Sequence, residues 1–255
     1  MKPVVAMCRV ENNVELRKNL FDITVKNVEL AKLCKAGQFL HIKCGEEVYL
    51  RRPISICDVQ NEYIRFIIEV RGKGTDWLSK VKEGETLDIL GPLGNGFTDI
   101  DFNKKVVFVG GGIGIFPLLM HAKKYGKNAT VLLGFRDKEN VVLEDEFKNF
   151  GCDVRVSTDD GSYGYKGFVT KFLEQRVEEG GCEAVFACGP QAMLKKTADI
   201  ANKNNIFCEI SMEERMGCGV GACLVCACKT IKGDSFTYSH ICKDGPTFNA
   251  KEIIF

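Results

Sequence analysis

VVFVGGGIGIFP, at residues 106–117, joins a short apolar run to a glycine-rich turn and a proline. The apolar run predicts a buried strand, and Pro117 suits the first turn of a helix. Strand, glycine turn and helix together form the geometry that cradles a diphosphate, so Gly111, Gly112 and Gly114 are candidate nucleotide-binding residues. The spacing departs from the G-x-G-x-x-G fingerprint, and a turn that merely allows tight packing is the alternative.

The same alternation of apolar strand and helix continues along the chain. Further strands are predicted at 129–135, 154–157 and 183–187, each followed by a helix. Apolar strands that alternate with helices predict a parallel sheet covered on both faces. We therefore expect a parallel α/β nucleotide-binding domain over residues 101–210.

Candidate nicotinamide contacts end the fourth strand of this sheet. Cys188, Gly189 and Pro190 stand at the carboxyl edge, where open α/β sheets bind ligands, and a small thiol there could pack against a nicotinamide ring. Just past the second strand, Arg136 would suit a 2'-phosphate and Asp137 a ribose hydroxyl. These residues therefore do not distinguish between NAD and NADP as the nucleotide.

Short strands with turn signals precede the α/β region. They are predicted at 21–25, 38–42, 53–56, 63–70 and 86–90, and their pattern favours a small antiparallel β-barrel. Residues 91–97 form the densest turn cluster of the chain. We expect a domain boundary there, with the barrel domain over residues 1–100.

Two short motifs in the barrel region could bind a cofactor. Arg52, at the start of a strand, could contact a phosphate as a fixed fork, and Ser55 could offer its hydroxyl and amide to a flavin ring edge. Gly74 and Thr75 place free N–H groups at a helix start, where a pyrophosphate is favoured. Plain turn chemistry is the alternative for both motifs.

Five of the thirteen cysteines crowd the last quarter of the chain. Four of them, Cys218, Cys223, Cys226 and Cys242, have the spacing C-x4-C-x2-C-x15-C, which matches plant-type [2Fe-2S] ligation. This region has little periodicity, so we expect a small [2Fe-2S] domain over residues 211–255 that its metal site holds together. A structural zinc site is the alternative, although zinc ligands usually come as two separated pairs.

Charge and hydropathy exclude several classes of protein. The chain has 255 residues with 35 basic and 34 acidic side chains, so it lacks the basic surface expected of a nucleic-acid or acidic-membrane partner. The longest apolar run, over residues 106–120, is too short and too rich in glycine and proline to span a bilayer. We expect a cytoplasmic α/β multidomain protein.

The motifs taken in order carry a family resemblance. The chain resembles the ferredoxin-NADP reductase superfamily over its whole length, through Arg-Pro-Ile-Ser, Gly-x-Gly-Thr, Gly-Pro-Leu-Gly-x-Gly-Phe, Gly-Gly-Gly-Ile-Gly-x-x-Pro, Cys-Gly-Pro and the four-cysteine loop. Within that superfamily, residues 211–223, SMEERMGCGVGAC, closely resemble the electron-transfer subunits of NAD-dependent dihydroorotate dehydrogenases.

The resemblance implies FAD on the barrel, NAD on the α/β domain and a [2Fe-2S] cluster on the cysteine loop. The FAD would be held by Arg52, Pro53, Ile54, Ser55, Gly74 and Thr75, and lined by Ile67, Ile68 and Glu69. The implied partner is an FMN-containing catalytic subunit, in a heterotetramer, that oxidises dihydroorotate to orotate in pyrimidine biosynthesis. Electrons would pass from this partner through the cluster and FAD to NAD.

Other functions are compatible with parts of this pattern. Related FAD and [2Fe-2S] subunits of ferredoxin-NADP oxidoreductases, sulfide dehydrogenases and hydrogenases share the implied architecture. In the bifurcating NADPH enzymes the family pattern has Asp as the first cluster ligand, and Cys218 departs from it. From a different class, a zinc-binding interaction module with a degenerate nucleotide fold would have no redox role.

Overall fold

An antiparallel sheet forms from the strands in which apolar and polar residues alternate. The computed structural model describes residues 3–233 and 235–255. In the second strand, Leu20, Ile23 and Val25 are buried whereas their neighbours are partly exposed, which is typical of a strand with one face on a core. The elements of this part are β1 (Val4–Arg17), β2 (Leu20–Lys26), α1 (Val28–Leu33), β3 (Phe39–Ile42), β4 (Arg52–Ser55), β5 (Asp58–Gln60), β6 (Tyr63–Glu69), α2 (Lys73–Ser79) and β7 (Thr86–Leu93).

The seven strands follow the order β4-β3-β7-β1-β2-β6-β5, and every neighbouring pair is antiparallel. The sheet curls, because β4 also approaches β6, which is not its neighbour in this order. It is therefore an antiparallel half-barrel, and the predicted barrel is confirmed in this form.

Buried strands and helices alternate after residue 100. The elements are β8 (Val106–Gly111), α3 (Phe116–Tyr125), β9 (Ala129–Phe135), α4 (Glu144–Asn149), β10 (Asp153–Thr158), β11 (Tyr165–Lys166), α5 (Thr170–Glu178), β12 (Ala184–Cys188), α6 (Gln191–Lys203), β13 (Phe207–Ser211), β14 (Ala227–Lys232), β15 (Ser235–His240) and β16 (Thr247–Asn249). Pro117 lies in the first turn of α3, as the sequence predicts. No helix in the described part of the chain is both long and apolar enough to cross a membrane.

The second sheet has the strand order β11-β10-β9-β8-β12-β13-β16. Its neighbouring strands run parallel except for β16, which pairs antiparallel with β13. The predicted parallel α/β domain is confirmed. Strand β16 was not predicted, because its segment shows no apolar alternation. Strands β14 and β15 form a separate two-stranded sheet.

The described residues form two compact units. The first holds the chain up to Gly96 together with 213–228 and 239–246, and the second holds 97–212 together with 229–233, 235–238 and 247–255. The C-terminal residues thus contribute to both units. The division into three domains, 1–100, 101–210 and 211–255, stays a prediction.

A cluster of rings fills one part of the core of the second unit. The His121 ring lies edge-on to Phe186 with centroids 4.6 Å apart and stacks on Phe97 at 5.4 Å. Tyr125 packs against the same imidazole, and its hydroxyl oxygen accepts the Ile100 N–H at 3.1 Å. Burial, helped by the charge of Lys124, lowers the pKa of His121 to about 4, so this histidine is a neutral core residue.

We predict that His121 makes the second unit sensitive to acid. The unfolded chain protonates this imidazole near pH 6.5 but the folded protein only near pH 4, so the free energy of unfolding falls as the pH drops between these values. Linkage sets the expected loss at about 2–3 kcal/mol. Urea denaturation from pH 8 to pH 4 should show a shallower acid slope for His121→Phe. Equal slopes for the two proteins would contradict the assignment.

Candidate functional site

The four cysteines of the C-x4-C-x2-C-x15-C pattern lie in the first unit and pair two by two. The thiols of Cys218 and Cys223 are within hydrogen-bond reach of each other, and those of Cys226 and Cys242 form a second such pair. Cys226 and Cys242 are buried, whereas the other two are half-buried. In residues 3–233 and 235–255, no three His, Cys, Asp or Glu side chains are grouped as ligands of a single metal ion. Two pairs of thiols suit two irons that share four thiolates.

Backbone N–H groups of the loop point at the sulfur atoms. The Cys218 Sγ accepts the N–H of Val220 at 3.5 Å, of Ala222 at 3.3 Å and of Cys223 at 3.4 Å. Burial alone would raise the pKa of Cys218, but these N–H groups outweigh it and lower the pKa to about 6. This cysteine is therefore prepared for the thiolate form, which is the form that binds metal.

The pKa of Cys242 is shifted in the opposite direction from that of Cys218. Burial and the neighbouring Cys226 raise the pKa of Cys242 to about 12, although its Sγ accepts the Gly221 N–H at 3.1 Å. A coordinated metal ion reverses this shift at Cys242, because its charge deprotonates a ligating thiol outright. The donor set thus fits an iron-sulfur cluster.

The turn cluster at 91–97 anchors the segment that carries the fourth cysteine. The Asn95 N–H donates to the Gly245 carbonyl at 2.6 Å, and its side-chain amide donates to the Asp244 carbonyl at 2.8 Å. Gly94 has φ +73°, and a Cβ there would lie 2.5 Å from Cδ of Pro246. Only glycine combines this conformation with this close approach. Sequence reasoning assigned this cluster a boundary role and missed the anchoring role, because the contacts join residues far apart in the chain.

The predicted flavin residues of β4 and α2 come together in the first unit. A Cβ on Gly74 would lie 2.5 Å from Nε of Arg52, so this arginine covers the glycine turn. Arg51 is held by both oxygens of Asp88 at 2.8 and 2.9 Å. Among the described residues, Arg52 instead donates to the backbone carbonyls of residues 50 and 51, which leaves its charge available to an anion.

A cavity of about 250 Å³ opens beside this arginine. A second cationic side chain, Lys73, also lines it. Its lining consists of Glu47, Val48, Tyr49, Leu50, Arg52 and Lys73. Two cations beside a glycine turn suit a phosphate or diphosphate. The remaining β4 residues, Pro53, Ile54 and Ser55, follow along the same strand, and Ser55 is exposed.

The side chain of Thr75 is used inside its own turn. Its hydroxyl accepts the N–H of Arg71 at 2.9 Å and of Gly72 at 3.3 Å, and it donates to the Gly72 carbonyl at 3.2 Å. The threonine therefore shapes the turn, and what it can offer a phosphate is its backbone N–H. The structure separates these two roles, which the sequence alone could not do.

The predicted flavin-lining residues of β6 differ in exposure. Ile67 and Ile68 are buried, whereas Glu69 is partly exposed and bound by two arginines. Its carboxylate accepts from Arg71 Nε at 2.7 Å and from Arg17 Nη2 at 3.3 Å. Burial raises the pKa of Glu69, but the two guanidinium groups outweigh burial and keep the pKa below its ordinary value.

The predicted nucleotide residues of the second unit meet at the ends of β8 and β12. A Cβ on Gly114 would lie 2.5 Å from the Cys188 carbonyl oxygen, and one on Gly111 would lie 2.7 Å from Cδ of Pro190. A Cβ on Gly189 would lie 2.9 Å from the Gly111 nitrogen. Tight packing, which is the alternative explanation for the glycine turn, therefore accounts for the glycine at these three positions. The backbone of Gly112 differs, because a Cβ there would meet nothing within 4 Å.

Comparison with known proteins gives one family model and a set of similar folds. Residues 213–254 match the family model of the iron-sulfur cluster binding domain of dihydroorotate dehydrogenase B. A solved structure of NADH-dependent reduced ferredoxin-NADP oxidoreductase superposes with a TM-score of 0.85 and 31% identity, over 98% of this chain and 90% of that one. The ferredoxin reductase of carbazole 1,9a-dioxygenase, at 18% identity and a TM-score of 0.67 over 81% of this chain and 67% of that one, shares the fold. The predicted fold class is thus confirmed.

Two relatives from different bacteria match the chain over nearly its full length. The "dihydroorotate dehydrogenase B (NAD(+)), electron transfer subunit" of Caldanaerobacter subterraneus subsp. tengcongensis is 42% identical over 97% of both chains. The protein of the same name from Clostridium perfringens is 40% identical, also over 97% of both chains. The chain belongs to the family of electron transfer subunits of NAD-dependent dihydroorotate dehydrogenase B.

Proposed function

We propose that this chain carries electrons from a catalytic subunit that oxidises dihydroorotate to NAD, with FAD and a [2Fe-2S] cluster as its cofactors. The observation that carries this is the pairing of Cys218 with Cys223 and of Cys226 with Cys242, in the compact unit that also contains β4. Oxidation of dihydroorotate to orotate releases two electrons and two protons, and NAD⁺ takes up both electrons and one proton. The complex works in the cytoplasm as a heterotetramer with an FMN-containing catalytic subunit.

Different residues of this chain serve the two kinds of electron transfer. When bound, FAD exchanges a hydride with NAD and single electrons with a [2Fe-2S] cluster. Four thiolates would hold the irons, and the N–H groups that point at Cys218 and Cys242 would stabilise negative charge on sulfur.

The dinucleotide sites are assigned to the two glycine turns. Arg52 and the backbone of Gly74 and Thr75 would hold the FAD pyrophosphate, with Pro53, Ile54, Ser55, Ile67, Ile68 and Glu69 beside the flavin. Gly111, Gly112 and Gly114 would hold the NAD diphosphate, and Cys188, Gly189 and Pro190 would pack beside the nicotinamide. The open space at Gly112 supports a phosphate there, because a bound group needs a backbone it can approach.

Reconstitution tests the whole function. The chain loaded with FAD, iron and inorganic sulfide should couple to an FMN-bearing dihydroorotate dehydrogenase subunit from the same source and reduce NAD⁺ when dihydroorotate is added. The matched arm replaces dihydroorotate by reduced ferredoxin and NAD⁺ by NADP⁺, which tests the ferredoxin-NADP oxidoreductase alternative. Activity in the second arm alone, with both cofactors present, would transfer the assignment to that alternative.

We predict that Cys223→Ser abolishes the [2Fe-2S] signal while FAD remains bound, because the thiol is a metal ligand and the flavin residues lie on other elements. Electron paramagnetic resonance of the reduced protein and flavin absorbance measure the two cofactors separately. Cys228→Ser is the matched control, since this neighbouring cysteine lies outside the predicted ligand set, and it should retain both signals. A reduced cluster resonance in Cys223→Ser would refute the ligand assignment.

We predict that Arg52→Ala weakens FAD binding about 10- to 100-fold, because a charged hydrogen bond to a phosphate contributes about 1.5–3 kcal/mol. Titration of the apoprotein with FAD, followed by flavin fluorescence, measures the dissociation constant. The control is Lys80→Ala, which removes an exposed cation that pairs with Asp76 on α2. Equal affinities for the two variants would remove Arg52 from the FAD site.

A further inference from the structure

His41 is a buried imidazole without a visible reason for its polarity. It lies on β3, and only 1% of the residue is exposed. The ring lies close to the Arg51 backbone, but among the described residues neither ring nitrogen makes a hydrogen bond of good geometry. A buried donor or acceptor left unpaired destabilises a protein by about 1–3 kcal/mol. Such a group requires an explanation, and a bound water or cofactor is the first to consider.

The ring faces the cysteine loop. A Cβ on Gly219 would lie 2.6 Å from Nδ1 of His41 and 3.1 Å from its Cε1. Gly219, at φ +73°, directly follows Cys218, so the loop places a glycine where the imidazole approaches. The unpaired nitrogen and the predicted cluster site are therefore adjacent.

The backbone of His41 pairs with the strand that carries the predicted flavin motif. In the β3–β4 ladder His41 stands opposite Pro53, and its carbonyl accepts from Arg51 Nη1 at 3.3 Å. All four residues of β3 are buried, so the strand is covered on both faces. His41 thus connects the strand that bears the flavin motif with the loop that bears the cysteines, inside one compact unit.

Four cysteines already supply the four ligands of a [2Fe-2S] cluster, so the imidazole is not needed as a ligand. Cluster sulfurs and thiolates are hydrogen-bond acceptors, and an imidazole N–H is a donor. Resting on the proposed function, we propose that His41 is a positioning residue that donates a hydrogen bond into the [2Fe-2S] site and raises the reduction potential of the cluster. The reduction potential rises because a hydrogen-bond donor to sulfur stabilises the additional negative charge of the reduced cluster.

Isotope labelling tests the contact directly. Protein labelled with ¹⁵N only at histidine should show a ¹⁵N coupling to the reduced cluster in pulsed electron paramagnetic resonance. His41→Phe should lose this coupling and His240→Gln, which removes the histidine nearest to Cys242 in sequence, should keep it. A normal cluster signal with no histidine coupling overturns the proposal, and points to buried water as the partner of the ring.

The potential supplies a second measurement. Redox titration should give His41→Phe a lower cluster midpoint potential than the unsubstituted protein, at equal iron content. An unchanged potential would overturn the proposal, and if the variant does not load iron, the labelled unsubstituted protein decides alone. Complete absence of a cluster signal from that protein would instead refute the proposed function, so the two failures are distinguishable.

Discussion

One constraint governs the structure around the cysteines. Two segments that are distant in sequence must bring four thiols together. The loop at 216–226 supplies three of these thiols. The fourth, Cys242, follows the two-stranded sheet of β14 and β15 in the chain. Hydrogen bonds close this gap, since the Ile241 N–H donates to the Cys226 carbonyl at 3.0 Å and Asn95 holds the segment that follows. Apolar burial contributes little here, because the loop carries exposed Leu224 and Val225. Backbone hydrogen bonds therefore contribute much of what fixes its geometry.

This constraint explains why glycines gather where they do. A peptide N–H can reach sulfur only if the loop wraps tightly, and the barrel can support the loop only if the contacting residues lack side chains. Gly219 meets His41 and Gly94 meets Pro246 at distances that exclude a Cβ. Both contacts lie within the first unit. The contact between β3 and the cysteine loop is therefore a property of that unit by itself.

Local patterns in the sequence predicted most of the fold and identified many of the candidate residues. Apolar alternation marked β2, β6 and β7, and the strand-helix repeat marked β8, β9, β10 and β12. The cysteine spacing identified all four thiols that the structure pairs. Each of these signals lies within a short window, where periodicity and turn chemistry are readable. The assignment of individual residues to FAD and NAD stays a prediction.

Long-range contacts were beyond sequence reasoning. A single histidine in the apolar strand at 38–42 looks like an ordinary barrel residue, and its contact with Gly219 spans most of the chain. The hydroxyl of Thr75 also looks available to a ligand until its three hydrogen bonds within the turn are seen. In both cases the chemistry of the side chain depends on which partner occupies it, and residue type alone does not specify the partner.

The glycine turn after β8 shows that close packing and ligand binding need not exclude each other. Gly111 and Gly114 are required by contacts with the end of β12, whereas Gly112 has positive φ and open space around it. A turn fixed on one side by its neighbours presents the other side as rigid, accessible backbone. Rigid backbone N–H groups bind a phosphate with little loss of conformational entropy. The packing contacts at Gly111 and Gly114 therefore favour the proposed NAD site, because they prepare the turn before the nucleotide arrives.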